Sequence, residues 1–460
     1  MNRELVLDKL AAFGSDAVSF QALESGLRWW DDAAPPSGTG ASLAFHEVGR
    51  SWIAVGTRLV AQDLRSAAAR RFAEHARAHN KRAVFFGIEQ PEIFAGFNRL
   101  PIGLQSELRP SLWTATLRRS PKLREQLRRA RAKGVSIRIV DASELAAGSP
   151  LRGAVEALRD EWLGLRPMEP MVFLVSVELF HAPERHLYLL AEWRGNPVQF
   201  LSAVPIGERR GWLMEDMLRS VAAPNGTTEL LIDRLMQQVV ANSELVTPGL
   251  TPLAGPIPWW LRVARDAAIP LYDFSGLRRF RARLLPPIWR PIWLVWDRGP
   301  VIAVLLDVLR AFAGGRLLRF AWRSLVRHPN GPPWAVAVPL VFWTLLLAAL
   351  AASNRAWLLG FSTVVLWAWV MFDAALAALL FRAARRPQPR RLTVMLAATT
   401  FDAIYSVRHL AVIGLGSSVL SGTLRLLATL GPLVGSAGMA LALRRALVVR
   451  RSRRAAFLRP

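Results

Sequence analysis

Apolar and polar positions divide the first 290 residues into short strands and amphipathic helices. Alternating apolar residues predict strands at 42–48, 51–56, 82–88, 135–140, 186–193 and 197–206. Helical periodicity predicts helices at 59–80, 151–165 and 227–242. A β-β-α succession occurs near 42–80 and again near 186–242, which is a weak internal repeat. This order predicts a mixed α/β layer structure.

A different pattern follows, in which long apolar stretches predict four membrane spans at Trp334–Ser353, Trp357–Phe381, Leu392–Leu415 and Val419–Leu443. Arginines precede the first span, lie between the second and third, and follow the fourth, whereas the opposite loops carry only Arg355 or no charge. The positive-inside rule therefore predicts a multi-pass protein of a bacterial-type inner membrane with both termini in the cytoplasm. The first sixteen residues contain acids and no uninterrupted apolar core, so they do not resemble a signal peptide.

Charged residues within these stretches need partners because a charge at membrane depth is costly. Asp373, Asp402, Arg408 and His409 lie there. One interpretation is contact with a lipid headgroup, for which we select Asp402 and Arg408. The other is a structural pair, such as Asp402 with Arg408.

Composition adds an uneven charge to this picture. The 460 residues contain 59 Lys and Arg against 34 Asp and Glu, a formal charge of +25, which predicts an anionic partner such as nucleic acid or acidic lipid. There is no cysteine, so disulfides and thiolate chemistry are excluded. The seven histidines show no metal-binding spacing, and we predict no metal site.

One predicted helix is unusually basic. Ser120 can cap it, Pro121 can begin it and Gly134 can end it. Only Glu125 offsets the cations in and just before it, which are Arg118, Arg119, Lys122, Arg124, Arg128, Arg129, Arg131 and Lys133. These cations form either an ordinary solvated face or a phosphate-binding face.

Residues 212–233 carry the most informative motif. An apolar segment leads to Glu215, Asp216 and Arg219, a Pro-Asn-Gly turn follows at 224–226, and Thr227 begins a helix. Asn225 and Gly226 tolerate the positive φ of such a turn, and free N–H groups at a helix start can bind an anion. Taken alone, such a cluster is more commonly an Asp216–Arg219 salt bridge that closes a strand end.

These residues resemble the D-x-x-R…P-N-G segment of the C-terminal domain of phosphatidylglycerol lysyltransferases. Further similarity lies in TPLAG, which contains Pro252 and Leu253, and in 270–289, so that the resemblance covers roughly residues 15–290. It implies tandem acyltransferase-type (GNAT-like) domains that move an aminoacyl group from aminoacyl-tRNA to a lipid hydroxyl. Glu215 occupies a position where many relatives have a small residue, and the membrane spans follow the catalytic part instead of preceding it.

The resemblance also implies roles for single residues. Asp216, with Glu215 as its substitute, would bind the donor's ammonium group or accept the acceptor's proton, and Arg219 would hold a phosphate or a carboxylate. Asn225, Gly226, Pro252 and Leu253 would contact substrate, and the basic helix would bind the tRNA backbone. The donor is a co-substrate, and no cofactor is expected.

We therefore predict five segments: GNAT-like domains at 1–145 and 146–290, an amphipathic interfacial segment at 291–332, a transmembrane region at 333–450 and a basic tail at 451–460. Trp289 and Trp293 belong to a Trp-, Pro- and Arg-rich region that is typical of a bilayer surface, although core aromatics remain the alternative.

Two other functions are compatible with the sequence. One is an acyltransferase that uses acyl-CoA, although the pyrophosphate loop typical of such enzymes is not found in the sequence. The other is a non-catalytic membrane scaffold with a decayed acyltransferase fold. The amino acid, the acceptor lipid and the oligomeric state, homo-oligomers included, stay open.

Overall fold

The computed structural model describes residues 3–32, 40–56, 59–166, 168–268, 272–327, 331–385, 388–416 and 418–457. They form two compact units. The first comprises 1–166, 170–267 and 273–317, and the second comprises 167–169, 268–272 and 318–460.

The first unit is built from two mixed sheets with helices packed on them. Its strands are β1 (Arg28–Asp31), β2 (Ser42–Val48), β3 (Ser51–Val55), β4 (Arg82–Ile88), β5 (Asn98–Glu107), β6 (Ser136–Val140), β7 (Leu187–Trp193), β8 (Asn196–Ile206), β9 (Gly211–Arg219), β10 (Leu245–Thr247), β11 (Leu250–Pro252) and β12 (Ile288–Trp296). Its helices are α1 (Arg3–Phe13), α2 (Arg65–Ala78), α3 (Trp113–Arg119), α4 (Pro121–Ala132), α5 (Pro150–Gly164), α6 (Thr227–Val239), α7 (Trp259–Ala267), α8 (Phe274–Arg283) and α9 (Val301–Phe312).

The first sheet has the strand order β1-β2-β3-β4-β12-β5-β11. β12 is antiparallel to both β4 and β5, and Trp293 packs against an aromatic cluster that includes Phe85. We predicted an interfacial segment beginning at residue 291 and grouped Trp289 and Trp293 with the bilayer surface. The structure instead places both residues in an interior strand, because the apolar end of β12 fills the gap between β4 and β5.

The second sheet has the order β10-β9-β8-β7-β6, with β10 parallel to β9 and the other pairs antiparallel. One face packs against α4 and α6, and the opposite face packs against α5 and α1. The predicted hairpin of β7 and β8 is confirmed. Because β6 already belongs to this sheet while β11 and β12 return to the first, the two sheets do not divide at residues 145 and 290 as predicted.

The two sheets meet at one edge. Leu108, just after β5, exchanges backbone hydrogen bonds with Val246 of β10, at 2.8 and 2.9 Å. Pro248 and Gly249 then turn the chain away from β9, and β11 pairs with β5 instead. β10 therefore pairs only with the first part of β9, since its last pair is Thr247 with Leu213.

The second unit is helical. It contains α11 (Gly331–Ala352), α12 (Thr363–Arg385), α13 (Pro389–Ile413) and α14 (Val419–Phe457), and α10 (Leu317–Arg327) begins at its boundary. Within the described residues, three helical segments are long and apolar enough to cross a membrane, namely Pro333–Ala352, Thr363–Ala383 and Val419–Arg444. The predicted helical membrane region is thus confirmed. α13 occupies the predicted third span, but its charged residues make it less apolar than the other three.

Candidate functional site

A β-bulge in β9 positions the two carboxylates that the sequence selects. Ser202 of β8 pairs with Asp216, whereas the next residue, Ala203, pairs with Met214, so Glu215 is the extra residue. In a regular strand Glu215 and Asp216 would point to opposite faces, but an extra residue changes that alternation. The packing shows the change, because Leu213 and Leu218 face the same side although five residues separate them.

Both carboxylates consequently lie on the face that packs against α1 and α5. His186 Nε2 is 3.2 Å from a Glu215 carboxylate oxygen, and the Ser202 hydroxyl is 3.4 Å from an Asp216 carboxylate oxygen. The Glu215 side chain is 6% exposed and that of His186 is fully buried. The result is a buried acidic site between two apolar clusters.

Burial dominates the electrostatics of this site. It raises the pKa of Asp216 well above its usual range, and the charge of Glu215 raises it further, while Ser202 and Arg166 act in the opposite direction. Burial also raises the pKa of Glu24 to about 8, with Glu215 and Glu178 contributing. The main-chain N–H of Leu174 and the Ser176 hydroxyl both donate to the same Glu24 oxygen, Oε2. A cation entering this site would be stabilised by several carboxyl groups.

Arg219 lies on the opposite face of the second sheet. It follows Asp216 by three positions without another bulge, so strand alternation separates the two side chains. Its guanidinium donates to the Ala223 carbonyl oxygen at 2.8 Å. The Asp216–Arg219 salt bridge, our alternative explanation of the motif, is not among the ion pairs of the described residues.

The Pro-Asn-Gly turn lies on the same face as Arg219 and contacts α4. Gly226 has a φ of +94°, and a Cβ atom there would lie 2.2 Å from the carbonyl oxygen of Gln126 in α4. Asn225 is exposed, and the Thr227 hydroxyl donates to the Pro224 carbonyl oxygen at 2.7 Å. The turn therefore positions the basic helix and does not contribute to the carboxylate site.

Pro252 and Leu253 lie at the edge of the first sheet. Pro252 pairs with Gly103 of β5, and the Leu253 N–H donates to the Ile102 carbonyl oxygen at 2.8 Å. The side chain of Arg281 in α8 supports the preceding turn through the carbonyl oxygens of Pro248 and Gly249. This edge diverges from β9 just before the bulge, so the two motifs flank the point where the sheets separate.

All eight predicted cations of the basic helix and the segment before it are exposed. Glu125 pairs with both Arg128 and Arg129, which holds the pKa of Glu125 at about 2. Asp233 of α6 pairs with Arg131, a partner that the sequence did not reveal. No carboxylate pairs with the other five cations within the described part of the chain. A cleft of about 570 Å³ lies between α4 and α6 beside Asp233.

In the second unit, Asp402 accepts a hydrogen bond from the Ser406 hydroxyl at 3.4 Å. The structure shows no Asp402–Arg408 ion pair among the residues it describes. Asp373 and Asp402 both line a largely apolar cavity of about 800 Å³ within this unit. A lipid-binding role for Asp402 and Arg408 stays a prediction.

The spacing of histidines in the sequence did not indicate that His181 and His186 lie beside Glu215. His181 and His186 are five residues apart and Glu215 follows 29 positions after His186, so no short metal-binding motif exists. The fold nevertheless brings one ligand atom of each to within 4.8 Å of the others. The sequence offered only one indication of this cluster, namely two histidines just before β7 and a glutamate in β9.

Two mixed sheets that are joined at one edge and covered by helices form the tandem GNAT-like fold that the resemblance implied. The chain belongs to the family of the C-terminal domain of phosphatidylglycerol lysyltransferase, whose family model matches residues 10–296. This membership assigns the chain to the lipid aminoacyltransferases.

Two solved structures share the fold. The C-terminal domain of a putative lysylphosphatidylglycerol synthetase from Agrobacterium fabrum is 21% identical, with a TM-score of 0.57 over 68% of this chain and 97% of that one. L-PGS from Bacillus licheniformis is 20% identical, with a TM-score of 0.58 and the same coverage. No curated protein sequence matches.

Proposed function

We propose that this protein transfers an aminoacyl group from aminoacyl-tRNA to a lipid hydroxyl, with phosphatidylglycerol as the default acceptor. The observation that carries the proposal is the bulge of β9, which places Glu215 and Asp216 together where β10 leaves β9. Because β10 separates from β9 after Leu213, a substrate can reach the later part of β9, which β10 would otherwise cover.

The chemistry needs few protein groups because the aminoacyl ester is already activated. The acceptor hydroxyl attacks the ester carbonyl, a new ester bond forms, and the bond to the terminal tRNA oxygen breaks. The hydroxyl proton passes to a carboxylate and then to the departing tRNA oxygen. Asp216 is positioned for this proton transfer or for binding the donor's ammonium group, and Glu215 lies beside it.

The same arrangement supports the choice of donor and acceptor. Five of the eight cations of the basic helix segment have no carboxylate partner in the described chain, and exposed cations attract an RNA backbone. Three helices suited to crossing a bilayer would hold the catalytic part at the membrane, where a lipid headgroup is accessible. Both substrates would then meet at the inner membrane surface.

The test uses the full-length protein in phosphatidylglycerol vesicles supplied with a complete set of charged tRNAs. Mass spectrometry of the extracted lipid should show an added amino acid, which would identify donor and acceptor together. Asp216→Asn should lower the rate about 10²- to 10⁴-fold, the usual contribution of a proton-transferring group. The matched control is Asp160→Asn, an exposed carboxylate of α5, which should leave the rate unchanged.

Two results would contradict the proposal. One is the absence of any aminoacyl lipid with every charged tRNA present. The other is transfer from acyl-CoA with no transfer from tRNA, which would favour the second enzyme class considered above. An unchanged rate for Asp216→Asn would reject the site and leave the reaction intact.

A further inference from the structure

His181, His186 and Glu215 form a cluster whose two histidines take no part in the proposed transfer. His181 and His186 flank the short segment that leads into β7, and Glu215 is the bulged residue of β9. One ligand atom from each lies within 4.8 Å of the other two. Two imidazoles and one carboxylate are a ligand set that divalent transition metals use when a coordination position stays open.

The backbone fixes which nitrogen each imidazole can offer. His181 Nδ1 is 2.5 Å from the Glu178 carbonyl oxygen, and His186 Nδ1 is 2.9 Å from the Ala182 carbonyl oxygen. A carbonyl only accepts hydrogen bonds, so each Nδ1 carries the hydrogen. In the neutral ring Nε2 then carries a free lone pair that can bind a metal ion. This outer support is typical of metal-binding histidines, because it fixes both the tautomer and the ring orientation.

Both Nε2 atoms lack a suitable neutral partner. His181 Nε2 is buried and has no hydrogen bond within the described structure. His186 Nε2 is 3.2 Å from a carboxylate oxygen of Glu215, so in the neutral ring two lone pairs face each other. Two ligands about 2.1 Å from a zinc ion, at an angle of about 100°, are separated by about 3.2 Å. The two atoms are therefore as close as two ligands of one metal ion, a separation that a hydrogen bond between them also gives.

The loop that carries the histidines has an unusual backbone conformation, and further carboxyl groups lie near it. Ala182 has a φ of +50° and precedes Pro183, so the segment between the histidines is held in a conformation that an alanine rarely adopts. His186 stacks on Tyr188 at a centroid distance of 5.2 Å. Glu24 and Asp216 add carboxyl groups close to Glu215, and Arg166 is the cation that faces Asp216.

We propose that His181, His186 and Glu215 bind one divalent transition metal ion of the Zn²⁺ class and leave a fourth position open to a water or a substrate oxygen. Binding of the ion does not depend on the proposed function. Its use does, since an ion beside Asp216 would polarise the acyl carbonyl oxygen as a Lewis acid.

The experiment measures metal content and affinity in the full-length protein, purified in detergent and equilibrated with Zn²⁺. Elemental analysis should give about one zinc per chain after dialysis. Co²⁺ in its place should give the visible absorption bands of a four- or five-coordinate site. His181→Ala and Glu215→Gln should each weaken Zn²⁺ binding at least about a hundredfold, because each removes a ligand atom.

A double variant, His75→Ala with His79→Ala, is the matched control. These two histidines are four residues apart at the end of α2, with ring centroids 4.7 Å apart, and are the natural place for adventitious zinc. The control should retain the metal. Loss of zinc in the control, or substoichiometric zinc in the unmodified protein, would overturn the proposal.

Folding and activity are separated from metal binding by two further readouts. Glu215→Gln keeps the size of the side chain, so lost zinc with an unchanged melting temperature of the metal-free proteins supports a ligand role, and unchanged zinc contradicts it. If the unmodified protein transfers aminoacyl groups at full rate without bound metal, the Lewis-acid use of the ion fails and the proposed function stands. If zinc binds stoichiometrically and no aminoacyl lipid forms, the proposed function fails alone.

Discussion

Gly226 shows how one residue of a recognisable motif serves the fold. Its φ of +94° suits glycine, and any Cβ would meet the Gln126 carbonyl oxygen of α4. The close contact between this turn and α4 therefore explains the glycine of the Pro-Asn-Gly motif without any role of Asn225. A residue that resembles a family motif can thus be required for packing alone.

Replacing this glycine should be costly. We expect Gly226→Ala to lower the free energy of unfolding by about 2–4 kcal/mol, since backbone strain and a clash with a main-chain oxygen add together. Thermal melting followed by tryptophan fluorescence measures the effect. Gly153→Ala is the control, because Gly153 is inside α5 with open space around its Cβ position, and it should be neutral or slightly stabilising. Equal melting of both variants would contradict the packing argument.

Glu24 predicts a dependence of stability on pH. Burial raises its pKa from the ordinary 4.5 to about 8, so between these values the folded chain holds a proton that the unfolded chain has released. Raising the pH through this interval therefore lowers the free energy of unfolding. Oε1 can carry the proton, since both hydrogen bonds go to Oε2.

Glu24→Gln should flatten this dependence between pH 5 and 8 and raise the melting temperature at pH 8. The measurement uses chelator-treated protein, so that no bound cation contributes. Glu184→Gln, which changes an exposed glutamate, should keep the slope of the unmodified protein. A Glu24→Gln variant with the original slope would show that other groups cause it.

At the scale of single elements, α4 combines a buried stripe with an exposed cationic face. Leu123, Leu127 and Ala130 pack into the core, which leaves the cations at the surface. Ser120 caps its start by accepting a hydrogen bond from the Leu123 N–H at 3.3 Å, as the sequence predicted. The same helix can therefore be a structural element and an RNA contact.

Two unpaired cations test the RNA contact. Arg119→Gln with Lys122→Gln should weaken tRNA binding and reduce the slope of log affinity against log salt by about 1.5, because two phosphate contacts are lost. Arg70→Gln with Arg77→Gln in α2 removes the same charge elsewhere and should change the slope little. Equal effects of both pairs would indicate general charge attraction without a site on α4.

The sequence predicted β2, β3, β4, β6, β7 and β8 because their apolar alternation is regular. It did not predict β12, whose tryptophans, proline and arginine are also typical of a membrane interface. Nor could it reveal the bulge at Glu215, since an extra residue depends on the pairing of β8 and β9. The histidine cluster was missed for the same reason, as tertiary pairing alone brings its members together.

At the scale of the whole molecule, charge and apolar length divide the chain into two kinds of surface. After Asp307 the sequence contains only two acidic side chains, which are Asp373 and Asp402. Many arginines lie at the ends of the helices of the second unit. Such a distribution favours one orientation across a membrane that carries anionic lipids on its cytoplasmic side. This orientation would place both chain termini in the cytoplasm, as the sequence predicts.

The absence of cysteine allows this orientation to be measured cleanly. Single variants Asn354→Cys, after α11, and Gln388→Cys, before α13, place a thiol in two successive loops. In intact cells a membrane-impermeant maleimide should label Asn354→Cys and spare Gln388→Cys until the membrane is permeabilised. The reverse labelling would show that both termini face outward.

The interior position of β12 also determines the order in which the protein can be made. During synthesis β4 and β5 end at residues 88 and 107, long before β12 begins at residue 288, and they cannot complete their sheet until Trp296 is available. A nascent chain that stops before Ile288 leaves an open seam through its first sheet. The first unit can therefore finish folding only when synthesis has almost reached the first membrane-spanning helix.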